Sequence, residues 1–587
     1  MGICIDCFLL NQAKSIAIIV AHFKQRIRTV KKSAYMYINT NIQPRMRRYA
    51  SVNWQLIAVI CSLVILMPVF NIVFVSFGDN QDLLTHLQQT VLPRYFMNTI
   101  ILMGGVGFFA LLFGVSSGWI ISRYEFWGRK TLSWMLVLPA AIPAYLIAYT
   151  YTDFLEYAGP VQSYLRSIFG WQTPQDYWFP DIRTHAGAIL MMASVLYPYI
   201  YIFVRTTFQQ ISRTLFEAAD LCGRPLFFGV AVPLARPAII ASLSLVLMEV
   251  VSDFGTVDYF GIETLTLGIF NVWLGMNNIV AAAQISLFAF ALILVLLATE
   301  RYARANRLFE NKAPGLKGMP RIKVTPKAQI FCFMICILPI IIGFIIPVGI
   351  LVSFIIQATD LKSFYFLQQT FKNTLLISFL SAGLIIVIAA FLAIISFYKL
   401  RKSGQFFTRL SATGYAFPGT ILAIGVLYFS AQLDTMIQSL LSLIISNSNQ
   451  VVISGTLIVM IIAYLVRFNA VGYGAITSGL EQMPRELISA SQLLGKSFSS
   501  SVFAVLMPNL WPSILAGGLL LFVDIMKELP LTLLLRPLDF DTFSTITYQF
   551  AKDEMLEKAA FPALCIVIVG LIPVIIANMA LSRIIAK

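Results

Sequence analysis

Residues 233–255 read PLARPAIIASLSLVLMEVVSDFG, and residues 508–530 read PNLWPSILAGGLLLFVDIMKELP. Each is an apolar run opened by two prolines four residues apart and closed by two acids four residues apart. The first carries Pro233, Pro237, Glu249 and Asp253; the second carries Pro508, Pro512, Asp524 and Glu528, every one of them offset by 275 residues. Pro143 in LPAAIPAYLIA and Pro418 in YAFPGTILAIG keep the same offset of 275. A fixed period shared by prolines and acids reads as two fused copies of one unit.

The rest of the chain says what kind of unit this is. Of 587 residues, 58% are hydrophobic and 12% charged, with a mean hydropathy of +0.81. A soluble protein cannot hide so much apolar surface and keep a wettable exterior, so the composition points to a polytopic membrane protein. Apolar runs long enough to span lie near 53–76, 99–122, 131–151, 186–206, 237–257 and 279–299, then 329–356, 374–398, 408–430, 451–468, 509–530 and 561–584. The expected fold is all-α, with about 12 transmembrane helices in two parallel six-helix repeats. The expected organisation is a basic tail over 1–50, a first repeat over 51–300, a linker over 301–328 and a second repeat over 329–587.

Net charge is +15, but the basic residues fall between spans rather than on a nucleic-acid-binding face. The tail holds nine Lys and Arg against one acid, Asp6. Arg123, Arg129 and Lys130 follow the second span, Arg205 and Arg213 the fourth, and Lys399, Arg401, Lys402 and Arg409 the eighth. Arg467 ends the tenth expected span, and the linker adds eight Lys and Arg against Glu310. By the positive-inside rule these share the cytoplasmic side, which places both termini inside. The linker core ENKAPGLKGMP reads as flexible. The seven cysteines include one lone pair, Cys4 and Cys7, with no partner pair or βαβ context to support a redox or metal role. His22, His86 and His185 are dispersed, and no metal-ligand spacing occurs, so no metal site is expected.

Glu249, Asp253, Asp524, Lys527 and Glu528 lie in or near the outer ends of their spans. Charges inside a bilayer are costly, so these side chains are expected to face an interior pathway or the rim. Acids four apart share a helix face. One reading makes them the mouth or gate of a pathway; the other makes them helix caps and local pairs, such as Lys527 with Asp524.

Between the fourth and fifth spans the chain reads FEAADLCGRP (216–225), a polar break. Glu217 to Leu221 reads as a short helix, Gly223 as a sharp turn and Pro225 as a change of direction. PRELISASQLLGK (484–496) is a worn copy in the second half. The chain holds no phosphate-binding loop and no catalytic triad, so a transporter of this shape takes its energy from an ion gradient or from another subunit.

Glu217, Ala218 and Ala219, followed by Gly223 and closed by Pro233, resemble the coupling signature of inner-membrane permease subunits of bacterial ABC importers. LPAAIPAYLIAYTYTDFLEYAGPVQ (138–162), LYPYIYIFVR (196–205), PLARPAI (233–239) and MEVVSDFGTVDYFG (248–261) look like the iron(III) importer permeases, a group with fused two-half chains and with relatives that serve thiamine. The resemblance covers about residues 50–587. It implies a multi-pass protein of the bacterial inner membrane that binds no cofactor and is not itself an enzyme. Two copies of a separate ATPase would use ATP and dock on the loops at 214–224 and 485–496. A periplasmic binding protein would deliver ferric iron, membrane lipid would surround the chain, and nucleic acid would play no part. In the second loop the matching residues are Ser489, Ala490, Ser491, Gly495 and Pro508, and Glu486 lies a turn before them. The signature acid is therefore missing there. The spacing from Gly223 to Pro233 is ten residues and that from Gly495 to Pro508 thirteen; the second is the family's usual length, so the first loop is expected to be shorter by nearly a turn.

Thiamine, a polyamine or a phosphonate are alternative cargoes for the same kind of permease. An ion-coupled secondary transporter with parallel halves is the alternative from another class; two polar loops with helix, Gly and Pro favour ATPase docking over it.

Overall fold

The computed structural model describes residues 53–78, 81–305, 321–357, 363–441 and 453–586. The basic tail with Cys4 and Cys7, and the linker core at 310–320, lie outside the described residues. The protein is all-α apart from a two-residue parallel bridge, Tyr124–Glu125 with Ile322–Lys323, which ties the far end of the linker to the loop after the second span. Among the described residues, 11 helices are long and apolar enough to cross a membrane, and 12 if one bent pair is a single span. This is a polytopic fold of two helix bundles.

The chain divides into two compact units. Of the described residues, Pro484–Asn509 and those before Ile60 form one; those of Ile60–Met483 and those from Leu510 onward form the other. The larger unit holds most of both halves. Within it, the helix Leu92–Arg123 packs along His185–Gln210, and Ser363–Tyr398 packs along Leu457–Glu481. Small residues let these pairs close up: Gly114 lies against Ile200 in the first, and Ala389 against Gly472 in the second. The first span of each half also reaches across to the other half. The Pro68 carbonyl abuts Gly425, while the Tyr151 hydroxyl donates to the Ile342 carbonyl at 2.8 Å.

Three features differ from the sequence expectation. The third span, expected to be continuous over 131–151, is Arg129–Ala141 and Ala144–Phe169 bent by 93° at Pro143. Its counterpart, expected over 408–430, is broken in the same way: Lys402–Ser411, a 3₁₀ turn Gly414–Ala416, then Gly419–Leu441. The proline removes a donor and forces the residue before it out of the helical region, and Ile142 and Phe417 are both extended, with ψ of 123° and 134°.

The fifth span of each half begins about ten residues before its expected start, at Phe227 and Phe498. Each enters through a π-helical turn, Phe227–Ala231 and Val502–Leu506, placed just before Pro233 and Pro508. The wider turn lets the helix absorb a proline near its start rather than begin there. Finally, the stretch 536–560, which falls between the expected spans 509–530 and 561–584, contains the helix Phe543–Lys552, whose Phe543 to Tyr548 are buried.

Candidate functional site: a charged cavity and two coupling elements

In the larger unit, the broken third spans, the fourth spans and the ends of the fifth spans line a partly open cavity of about 160 Å³. Glu249, Asp253, Asp524, Lys527 and Glu528 all line it, together with Arg467 and the tyrosines Tyr145, Tyr199 and Tyr415. The carboxylates are not alike. Asp253 ends its helix and caps the next one: it accepts from the Thr256 N–H at 3.0 Å, the Thr256 hydroxyl at 3.0 Å and the Val257 N–H at 3.3 Å. Its counterpart Glu528 accepts from the Leu531 N–H at 3.1 Å, and its other oxygen lies 3.5 Å from Arg467 Nε. Glu249 and Asp524 instead sit one turn back from these caps. Glu249 faces Tyr415, Arg467 and Lys527; Asp524 faces Lys527 and Glu249. Lys527 Nζ donates to the Ala140 carbonyl at 3.4 Å, across the two halves.

Arg467 is the residue whose place the sequence reading missed. Counted there as the cytoplasmic end of a span, it is buried inside Leu457–Glu481, ten residues and about 15 Å from that helix's start. The span runs on to Glu481 through small and weakly polar residues, which blurred its end. An arginine inside the apolar string YLVRFNA was itself the signal, since charges in a membrane helix face a partner or a cavity. Gly419 makes room for it: a Cβ there would lie 2.7 Å from Arg467 Nη1 and 2.9 Å from Glu528 Oε1.

The first polar break forms the helix Arg213–Leu221. Phe216 and Ala219 are buried, while Glu217 and Ala218 are exposed, and Glu217 is held by Arg213 at 2.6 Å. Gly223 closes the helix at φ +65°, with the Arg224 N–H reaching back to the Ala219 carbonyl.

The second break, in the smaller unit, forms Glu486–Leu493. Ile488 and Ser491 are buried, Glu486, Ser489 and Ala490 exposed, and Gly495 closes it at φ +88° with the Lys496 N–H on the Ser491 carbonyl. Here the buried Ser491 hydroxyl accepts from Ser501 at 2.9 Å.

The turns after Gly223 and Gly495 are equally long: each helix resumes three residues on, at Leu226 and at Phe498. The expected shortening therefore lies not in the loop but in the following helix. Its π turn starts one residue after Leu226 in the first half and four residues after Phe498 in the second.

The model of a protein family, "binding-protein-dependent transport system inner membrane component", matches this chain twice, over residues 110–307 and 385–586. The chain belongs to this family. It is a membrane permease component of the ABC-importer superfamily. An Fe(3+)-transport system permease protein, FbpB 2, of Haemophilus influenzae is 25% identical over 486 residues, covering 81% of the permease and 88% of that relative. A putative 2-aminoethylphosphonate transport system permease protein, PhnU, of Salmonella typhi is 27% identical over 240 residues, 39% of the permease and 82% of that relative. A probable sulfate transport system permease protein of Chlorella vulgaris is 28% identical over 149 residues, 25% of the permease and 53% of that relative.

Among the described residues of the permease, no group of three or more His, Cys, Asp or Glu side chains is close enough to hold a bare metal ion.

Proposed function

We propose that this chain is the translocation subunit of an ATP-driven importer that takes ferric iron from a periplasmic binding protein and passes it to the cytoplasm by alternating access. The observation that carries the cargo reading is the extent of the Haemophilus relative's match. It runs through 81% of the chain and so through both halves, whereas the phosphonate and sulfate relatives match 39% and 25%. The cavity supports a cationic cargo, since four carboxylates line it against two basic side chains. A phosphonate cargo is the alternative that a relative's name supports.

In this reading both termini and the linker are cytoplasmic, as the basic loops suggest. Two copies of an ATPase subunit dock below. One receives Glu217, Ala218, Ala219 and Gly223 on the helix leading to Pro233; the other receives Glu486, Ser489, Ala490, Ser491 and Gly495 on the helix leading to Pro508. Leu221, Leu493 and Leu494 at the tips of these helices are 90%, 70% and 86% exposed, which suits burial in a partner's cleft. Each helix leads in sequence, through its Gly turn and π turn, into a fifth span whose far end lines the cavity. A push on the helix is thereby carried to Glu249 and Asp253, or to Asp524 and Glu528.

The test is uptake of radiolabelled iron in cells lacking this gene, with the ATPase subunit copurified on the tagged chain from wild type. Lost iron uptake, restored by the gene, is the expected result. Unchanged iron uptake with lost phosphonate uptake overturns the cargo; a chain that copurifies no ATPase overturns the mechanism.

A further inference from the structure

The two walls of the cavity come from equivalent positions of the two halves, and their charges do not match. Glu249 and Asp253 correspond to Asp524 and Glu528 at an offset of 275. Lys527 corresponds by the same offset to Ser252. Across the fourth span the offset is 272, as the capping threonines Thr184 and Thr456 and the packed pairs Gly114–Ile200 and Ala389–Gly472 fix it. By that register Arg467 corresponds to Val195, which also lines the cavity. The second-half wall thus holds two acids and two bases, and the first-half wall two acids alone. The whole negative surplus belongs to the first half.

Within that wall Asp253 is occupied by its three capping hydrogen bonds. Glu249 forms no ion pair within 4 Å among the described residues; it takes a hydrogen bond from Tyr415, and Arg467 and Lys527 act on it from further away. A second, independent feature points to an occupant. The Tyr145 hydroxyl, on a side chain 5% exposed that lines the same cavity near Asp253 and Glu528, has no hydrogen-bond partner among the described residues, and neither does Arg467 Nη1 on a residue 6% exposed. A buried hydroxyl without a partner calls for a polar occupant, and the Tyr145 hydroxyl can accept as well as donate. A space of about 160 Å³ is several times what a single water molecule needs. That is room for an ion with part of its water shell, and the lack of a three-ligand cage among the described residues fits binding through water rather than a stripped ion.

We propose that the cavity is a selectivity site that holds a hydrated multivalent cation on the Glu249 side, with the Tyr145 hydroxyl accepting from its water shell. The inference deepens the transport reading and rests on it for the site's place on the pathway. The half-to-half charge mismatch sets the strength of the site. Lys527 and Arg467 weaken it enough for release, and a second pair of bases in the first half would close it to cations.

The test uses the full chain in lipid nanodiscs with Tb³⁺ as the probe, read by luminescence sensitised through the cavity tyrosines. A saturable site is expected, lost in Glu249→Gln and partly kept in Glu249→Asp. Ser252→Lys, which gives the first wall the second wall's lysine, should weaken binding about tenfold or more. Lys527→Ser should strengthen it several-fold, and this opposite sign cannot come from misfolding. Equal affinity in wild type, Ser252→Lys and Lys527→Ser overturns the site, as does the absence of saturable binding. Cell uptake separates the two readings. A Tb³⁺ site that responds as expected in a chain whose deletion leaves iron uptake intact upholds the site and sinks the ferric cargo. Normal iron uptake with no Tb³⁺ response sinks the site alone.

Discussion

Pro143 and Pro418 break their helices in the same way, yet the residue after each break sets a different environment. Ala144 carries a methyl group where Gly419 carries none, and only Gly419 leaves space for a buried guanidinium over the new helix start. The second half thereby brings Arg467 to Glu528 inside the membrane, while the first half has Val195 and a capped Asp253 at the corresponding places. One backbone design, used twice, balances its charge on one side only. Arg467→Val would break this contrast most severely, because it makes the second wall resemble the first while leaving Glu528 buried without its cation. Removing one member of a buried pair costs on the order of 3–5 kcal/mol, so the melting temperature of the purified chain should fall sharply. The Arg467→Val/Glu528→Gln double variant should recover most of the loss. A single variant that melts like wild type would mean that the pair contributes nothing to the fold.

The parts of this architecture that were legible in the sequence are those written in period and hydropathy. Spans of about 20 apolar residues and the 275-residue offset gave the two bundles, and the in-membrane acids were brought to one cavity. What was not legible arose from small shifts in that period. The offset is 275 at Pro143 and Pro418, 272 across the fourth span and at Gly223 and Gly495, 275 again at Pro233 and Pro508, and 278 at the capping residues Thr264 and Thr542.

The second of these shifts sits in helix rather than loop, where a string comparison cannot place it. The third hid a matched pair of latches. The Asn98 side chain donates to the Glu263 carbonyl and the Leu265 N–H donates to Thr99; Asn373 and Thr374 make the same bonds to Asp541 and Phe543. Arg467 was missed for a different reason. A charge-counting rule assigns basic residues to loops and so passes over the apolar string around this one, which its burial bears out.

The two coupling elements invite a milder test of equivalence. Gly223 and Gly495 both adopt left-handed backbone, and an added Cβ meets nothing within 4 Å at either. Gly223→Val and Gly495→Val therefore impose backbone strain of about 1–2 kcal/mol each without a clash, and the spans should stay folded. If both elements dock, each variant should reduce ATPase copurification and transport-coupled ATP hydrolysis to a similar extent, as measured on the reconstituted complex. A loss confined to Gly223→Val would show that the element lacking the signature acid is not a docking site of equal weight.

The smallest expected effect on the fold separates stability from coupling within these elements. Glu217 is exposed and its partner Arg213 equally so, at 54% each, so this i,i+4 pair contributes no more than about 0.5 kcal/mol. Glu217→Gln should leave the melting temperature within about a degree or two of wild type. In the second element the corresponding position is Ser489, also exposed, and the element is instead pinned from below by the buried Ser491–Ser501 hydrogen bond. Ser501→Ala should accordingly cost about 1 kcal/mol of stability, more than Glu217→Gln, although it changes no surface that a partner would touch. Transport should rank the two in the opposite order if Glu217 meets the ATPase: reduced uptake in Glu217→Gln, and near-normal uptake in Ser501→Ala once the folded fraction is equalised. Equal uptake in both would confine Glu217 to its pairing with Arg213, and would leave the exposed leucines at the helix tips as the surface on which docking rests.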